Sequence, residues 1–572
     1  MRLRLIVAMA AIGWTTWARG ASPADLVFIN GAVYTVDAAR SWASALAVTG
    51  DRISYVGDDS DAEALVGPNT RLIDLDHRML LPGFQDSHVH PGMVPKTHLD
   101  LSGIVRREEL FERIRRFAEA QPTRPWILGF GWDEVAFMPS RMPTKSMLDA
   151  LVPDRPAFFE DNSGHDAWLN SRALAIAHIS AKTPDPPNGR IERDEKGDPT
   201  GLLHEDGAMD LVRKLIPPPT PAEQLQDLTG ALSEMTQRGF TALEDAMATP
   251  EIARAYKTLD DAGALQQRVN LCMPFAPEKD DEPQIAYFLE QRDALAGRLL
   301  SATCVKIFVD GAAAHTVALL KPYSDDPRFG KGALFVQATR LNRLVTRLDA
   351  AGFQIHMHAQ GDAAVRAGLD AFEQAERSNG LHDRRHTIAH LWLVDPADIA
   401  RFRTLHVIPN MTPLWSLADT WETVDAVRMF GPERSRHLFP TRSLLDAGAV
   451  LVWGSDWPVT GVSALDGIET ALTHRYPGGK DPFGKEDESW HPWERVSLEQ
   501  AIVSYTSAGA YLMHEDSARG TLTVGKLADL VVLHRNLFET PNLQIHTVPV
   551  DMTVLAGKVV FIRNQQTARE RQ

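Results

Sequence analysis

Two cysteines in 572 residues are too few for a disulfide framework or a four-thiolate zinc site. Basic blocks are absent and the net charge is −16 at pH 7, so nucleic-acid binding through phosphate contacts is not expected. Beyond residue 20 no run of 18 uncharged apolar residues occurs, so no stable membrane span is expected in the mature chain. There is no internal repeat and no low-complexity segment. Hydrophobic residues at 44% and charged residues at 23% exclude disorder, collagen and coiled coil. Against this scarcity of cysteine stand 20 histidines. If a metal is bound, its ligands are nitrogen and oxygen.

The first residues read as an address. Arg2 and Arg4 precede an apolar run at residues 5–14, too short to span a bilayer. Small residues Ala18 and Gly20 suit cleavage after Gly20. Residues 1–20 are therefore expected to be a signal peptide, giving an exported, periplasmic or secreted chain. An uncleaved anchor is the alternative. An oxidising compartment permits a Cys272–Cys304 bridge, while the apolar runs around both cysteines suit buried free thiols equally.

Residues 21–80 alternate apolar and polar positions between Asn-Gly and Gly-Asp turns, and residues 515–572 repeat the texture. Neither piece buries a face alone, so the two are expected to pair as one small β-sandwich domain. Between them, residues 81–514 alternate short apolar runs with helical stretches. Eight runs read as buried parallel strands: "LLPGFQDSHVH", "GFTALEDAM", "QRVNLCMPF", "CVKIFVDG", "FQIHMHAQGD", "HTIAHLW", "HVIPNMTP" and "VLVWGSDWPV". The expectation is an α/β fold, a (β/α)8 TIM-type barrel with its active site at the C-terminal strand ends. Residues 100–219, rich in Trp and Pro, read as an insertion after the first barrel strand that covers the barrel mouth.

Polar residues closing apolar strands are the candidates for chemistry. His88 and His90 share a strand face by the period-two rule, and two convergent imidazoles suit a divalent ion such as zinc. Lys306 sits inside an apolar strand, where an ammonium must be paired, with Asp310 for example, or neutral. A neutral lysine can add carbon dioxide, and the carbamate is an oxygen ligand able to bridge two metals. His358 ends the next run with His356 on its face, His390 ends another, and Asp456 follows Gly454-Ser455. Each residue alone has a plain structural reading. Together, closing successive strands, they point to a metal site of one or two divalent ions.

At these residues the sequence resembles the amidohydrolase superfamily, and within it amidohydrolase family 3, the YtcJ-like metal-dependent hydrolases. The resemblance spans nearly the whole mature chain. "LLPGFQDSHVH", "VKIFVDG", "HAQGDAAV" and "GSDWPV" resemble the family's ends of strands one, four, five and eight. The segment from "GFGWDEVAF" to "NSGHDAWLNSRAL" resembles its insertion, and "GTLTVGKLADLVVL" its return to the β-domain. The resemblance implies that His88, His90 and Asp456 hold one ion and His358 and His390 a second. Carboxylated Lys306 and a hydroxide would bridge them. It also suggests substrate contacts from His165 and Trp132, whose structural readings are a loop-holding histidine and a packing tryptophan. Asp310 and Asp362 read as residues that orient loops or ligands, and His315 is left unassigned. Two departures bear on the substrate pocket: Ala389 precedes His390 where relatives often carry Glu, and "VIPNMTPLW" lacks the usual Gln-Pro.

The expected function is hydrolysis of non-peptide carbon–nitrogen bonds in a small-molecule substrate, a linear amide or N-acyl compound. Metal binding makes hydroxide available near neutral pH, and Asp456 is placed to accept a proton and pass it to the leaving nitrogen as general base and acid. Cyclic-amide hydrolysis or deamination uses the same residues. A non-catalytic binding or regulatory protein is the reading from another class, and a homo-oligomer is possible. Histidine and carboxylate ligands suit zinc, iron, manganese, cobalt or nickel.

Overall fold

A computed structural model describes residues 22–563 except 103, 139–141, 162–165, 187–188, 312–314, 418–425 and 481–487. The expected signal peptide and His165 lie outside the described residues.

The eight runs read as strands form one eight-stranded parallel sheet. They are β1 (Phe84–Val89), β2 (Phe240–Asp245), β3 (Arg268–Pro274), β4 (Leu300–Phe308), β5 (Gln354–Ala359), β6 (Thr387–His390), β7 (Ile408–Met411) and β8 (Val452–Trp453). Neighbours in sequence are neighbours in the sheet from β1 to β8, and every pairing is parallel. Helices alternate with them: α1 (Pro221–Gln237), α2 (Pro250–Asp261), α3 (Asp281–Leu295), α4 (Ala338–Ala350), α5 (Asp362–Asn379), α6 (Pro396–Thr404), α7 (Thr441–Asp446) and α8 (Ala464–Thr473). This is the (β/α)8 plan, whose chemistry belongs at the C-terminal ends of the strands.

Local sequence explains the helices. Thr220 and Glu223 form a reciprocal capping box and Pro221 occupies the first turn of α1. Leu228, Ala231, Leu232 and Met235 then recur at helical spacing and are buried in the large core between helices and barrel. Truncating one of these, such as Leu228→Ala, costs about 2–5 kcal/mol.

β1 and β8 close the barrel through bonds outside the strand ladder. Asp456 N donates to His88 O at 2.7 Å. Ser455 N donates to Asp86 Oδ1 at 3.0 Å, and from the neighbouring β7 Asn410 Nδ2 donates to Ser87 O at 2.7 Å. Gly454 permits the approach, since a Cβ there would come within 2.4 Å of His88 Cβ and 2.8 Å of its nitrogen.

Two further sheets come from the chain ends. One has four strands in the order Arg52–Gly57, Ala45–Thr49, Leu26–Ile29, Arg71–Asp74. The other runs Lys558–Ile562, Val550–Leu555, Leu530–Leu533, Met79–Pro82, Ala32–Tyr34, Trp42–Ala43. Leu26, Phe28, Val33, Leu80, Leu530, Val532 and Val554 of both sheets share one buried cluster. The run "LLPGFQDSHVH" is therefore split. Met79–Pro82 pairs antiparallel with Leu530–Leu533, and only the residues after Gly83 enter the barrel.

Between β1 and β2 the chain builds a six-stranded sheet, Arg190–Arg193, Pro199–His204, Asp166–Leu169, Ala157–Asp161, Ile127–Trp132, Leu99–Asp100, with its own apolar core. No helix among the described residues is long and apolar enough to cross a membrane.

Candidate metal centre

The C-terminal strand ends surround a cavity of about 520 Å³. His88, His90, Lys306, His358, His390 and Asp456 all line it. Six residues chosen from sequence, spread over some 370 positions, thus meet in one place. Around them the wall is largely apolar: Met93, Met247, Phe308, Trp392, Leu414 and Trp415.

Asp456 is the hub. His90 Nε2 lies 3.2 Å and His88 Nε2 3.4 Å from Asp456 Oδ1, and His390 Nδ1 lies 3.8 Å from Asp456 Oδ2. Lys306 Nζ lies 3.4 Å from His88 Nε2 and 5.1 Å over the Phe308 ring. His358 stands next to His390 with ring centroids 4.3 Å apart, and its Nε2 is 3.4 Å from Gly311 O. Trp415 stacks on His390 at 5.0 Å. Asp456 and His390 both adopt left-handed backbone, with φ of 56° and 79°. For non-glycine residues this costs on the order of 1–3 kcal/mol, tolerated where the surroundings dictate it and concentrated at functional sites.

Burial and charge set the protonation of the group. Burial and the neighbouring Lys306 ammonium push His88 well below the usual imidazole range, and burial does the same to His390. Burial lowers His358 to about 3. Neutral imidazoles keep a lone pair for a metal. Burial also lowers Lys306 to about 8, within reach of the neutral amine. Burial alone would raise Asp456, but the hydrogen bond to His90 and the Lys306 ammonium help outweigh it and hold the carboxyl below its usual range.

The residues fit a divalent cation. His88, His390 and Asp456 each offer a ligand atom within 4.8 Å of the others, and all three are buried. The donors are nitrogen and oxygen, and the buried His90 Nδ1 has no hydrogen-bond partner among the described residues. Such a set suits zinc and the borderline transition ions.

The other candidates separate. Asp310 accepts from Ala318 N, Gln360 N and Gly361 N at 2.9–3.0 Å, and Asp362 accepts from Leu320 N at 2.8 Å, so both hold the loops after β4 and β5. Lys306 does not pair with Asp310; it faces His88. His315 binds Asp325 at 3.1 Å and stacks on Phe329. Trp132 is a correction to the sequence expectation. It is 2% exposed in the insertion core, its Nε1 donating to Phe159 O at 2.8 Å, and does not face the cavity of the histidines. Trp132, which follows Gly131 and ends the strand Ile127–Trp132, packs against Phe137 and Trp168 because the insertion needs its own apolar core. Sequence reasoning passed over Trp392, Trp415, Gln360 and the buried Glu244. Glu244-Asp245, two acids closing the apolar β2, was the available signal. Cys272 and Cys304, register partners on β3 and β4, form a disulfide inside the barrel, which removes the free-thiol alternative.

Comparison with known proteins agrees with this geometry. The amidohydrolase family matches residues 71–561. YtcJ of Bacillus subtilis is 31% identical over 499 residues, covering 86% of this chain and 91% of that one. An N-substituted formamide deformylase of Arthrobacter pascens is 28% identical over 562 residues, covering 94% and 98%. The crystal structure of an uncharacterized metal-dependent hydrolase from Pyrococcus furiosus superposes with a TM-score of 0.70 at 27% identity, covering 89% of this chain and 99% of that one. Together with the parallel barrel and its cluster of buried imidazoles, the match places this chain in the amidohydrolase family, as a metal-dependent hydrolase of carbon–nitrogen bonds.

Proposed function

We propose that the protein hydrolyses linear amides or N-acyl compounds carrying an apolar substituent. In this reading His88, His90 and Asp456 would hold one divalent ion, most simply zinc, His358 and His390 would hold a second, and a carboxylated Lys306 would be an anionic oxygen ligand to both. The observation that carries it is the convergence of all six buried residues on one cavity. The kinship to an N-substituted formamide deformylase supports an acyl group on a substituted nitrogen.

A bound divalent ion supplies a lowered pKa for water and polarisation of the substrate carbonyl. The rest is the work of the chain. Asp456, held ionised beside His90, accepts a proton from the attacking water. It returns that proton to the departing nitrogen, so the amine leaves neutral. Phe308, Trp392, Trp415 and Leu414 give the substituent an apolar wall and exclude bulk water. The lowered Lys306 supports carbamate formation: its neutral amine attacks carbon dioxide, an N–C bond forms and one proton leaves. The Cys272–Cys304 disulfide supports export, with a mature terminus near Ala21.

The test is metal analysis of the purified protein together with a library of formamides, N-acyl compounds and cyclic amides, scored by release of acid, amine or ammonia. Two metal equivalents and turnover of linear amides are expected. Metal-loaded protein that releases only ammonia from rings, or is inert on every amide, overturns the reading.

A further inference from the structure

A second carboxylate–histidine pair lies beneath the metal cavity. His356 on β5, Glu244 on β2 and Asn270 on β3 are all buried. His356 Nδ1 is 2.8 Å from Glu244 Oε1, and His356 Nε2 is 2.9 Å from His88 Nδ1. Asn270 Nδ2 donates to Glu244 Oε2 at 2.9 Å. Asn270 Oδ1 is already occupied, accepting from Ser301 Oγ at 3.0 Å, Thr303 Oγ1 at 2.9 Å and Thr303 N at 3.2 Å. The amide of Asn270 is thereby oriented with its nitrogen toward Glu244. The sulfurs of Cys272 and Cys304 lie in the same cluster but are bonded to each other and offer no thiolate.

We infer that Glu244 and His356 are positioning residues that fix the tautomer of His88 and leave its Nε2 lone pair facing the cavity. The inference rests on the proposed reading that His88 holds an ion. Burial raises Glu244 to about 7, so above that pH it is ionised and only accepts, taking one N–H from Asn270 and one from His356 Nδ1. A neutral imidazole protonated at Nδ1 accepts at Nε2. His356 Nε2 therefore accepts from His88 Nδ1–H. The lone pair of His88 is left on Nε2, the atom 3.4 Å from both Lys306 Nζ and Asp456 Oδ1. No proton is transferred; the chain sets only the direction of each hydrogen bond. A carboxylate behind a ligating histidine orients the ring and raises its basicity, and here the carboxylate acts through a second imidazole.

Glu244→Gln tests this without changing size. Its amide donates to His356 Nδ1, reverses the chain and puts hydrogen on His88 Nε2. Zinc affinity, read by competition with a chromophoric chelator, is expected to fall about 10- to 100-fold. The visible absorption bands of the cobalt-loaded protein shift, while the unfolding midpoint of the metal-free protein reports folding separately. His88→Ala separates the two claims. If His88→Ala keeps its full zinc, the reading of the site fails and this inference with it. If His88→Ala loses zinc but Glu244→Gln binds zinc as tightly as the wild type with an unchanged cobalt spectrum, the positioning role is overturned and the site stands. If Glu244→Gln does not fold, 15N spectra of histidine-labelled, zinc-loaded wild type decide. A protonated His88 Nδ1 supports the inference and an unprotonated one overturns it.

Discussion

Two His-x-His pairs, one at the end of β1 and one within β5, put the same spacing to different use. On β1 both rings reach Asp456, at 3.4 Å from His88 and 3.2 Å from His90. On β5 only His358 lines the cavity, while His356 lies one layer down, 2.8 Å from Glu244. Strand geometry supplies the reason. His356 and His358 both lie inside the extended strand Gln354–Ala359, so about 6.6 Å of strand rise separates them. His90 follows the last residue of β1, where the backbone leaves the strand at φ −129° and ψ 61° and its ring turns back toward Asp456. Period two tells which face a side chain shares; where the strand stops tells how deep it sits.

Removing the carboxylate that both β1 rings share is the severest test. Asp456→Asn should lower kcat by at least about 10²-fold while substantial metal remains bound, measured by turnover beside metal content. An unchanged kcat removes Asp456 from the chemistry. Lys306→Ala should lose metal and activity, with partial rescue by short carboxylic acids. A variant holding two metals at full rate ends the carbamate reading. The β5 pair is split by single substitutions: His358→Ala should lower the metal-to-protein ratio, whereas His356→Ala should keep the ratio at saturating metal and weaken affinity about 10-fold. Equal effects on the ratio would erase the contrast between the two layers.

Smaller effects sharpen the picture. In metal-free protein without carbon dioxide, burial lowers Lys306 from 10.5 to about 8. Between those values the unfolded chain holds the proton and the folded chain does not. Rising pH in that window therefore adds stability at this site, by up to about 3 kcal/mol, and below it the buried ammonium costs that amount. Denaturant titrations of wild type and Lys306→Met across the window should show the gain only in the wild type. Trp132→Phe should leave turnover unchanged and cost roughly 1 kcal/mol for the lost hydrogen bond to Phe159, read from thermal unfolding.

Much of this was legible in the sequence, for identifiable reasons. The eight strand runs were readable because a parallel barrel buries both faces of each strand, leaving continuous apolar segments such as "CVKIFV" closed by polar residues. His88, His358, His390 and Asp456 stood out as those closing residues. Glu244 was hidden because an acid at a strand end says nothing of its partner across the barrel. Trp132 misled because aromatic content beside a glycine looks the same in a pocket and in a core. The left-handed backbone of His390 and Asp456 left no trace at all, since it is imposed by neighbouring strands rather than by local propensity.

The split of the first strand has a mechanical consequence. Met79–Pro82 is gripped on both sides, by Leu530–Leu533 and by Ala32–Tyr34, and passes through Gly83 directly into β1. Sliding β1 by one residue would turn His88 to the outer face, and would also require unzipping a strand held in another sheet. The outlying β-layer thus works as a keyway: it locks the height at which the barrel presents His88 and His90.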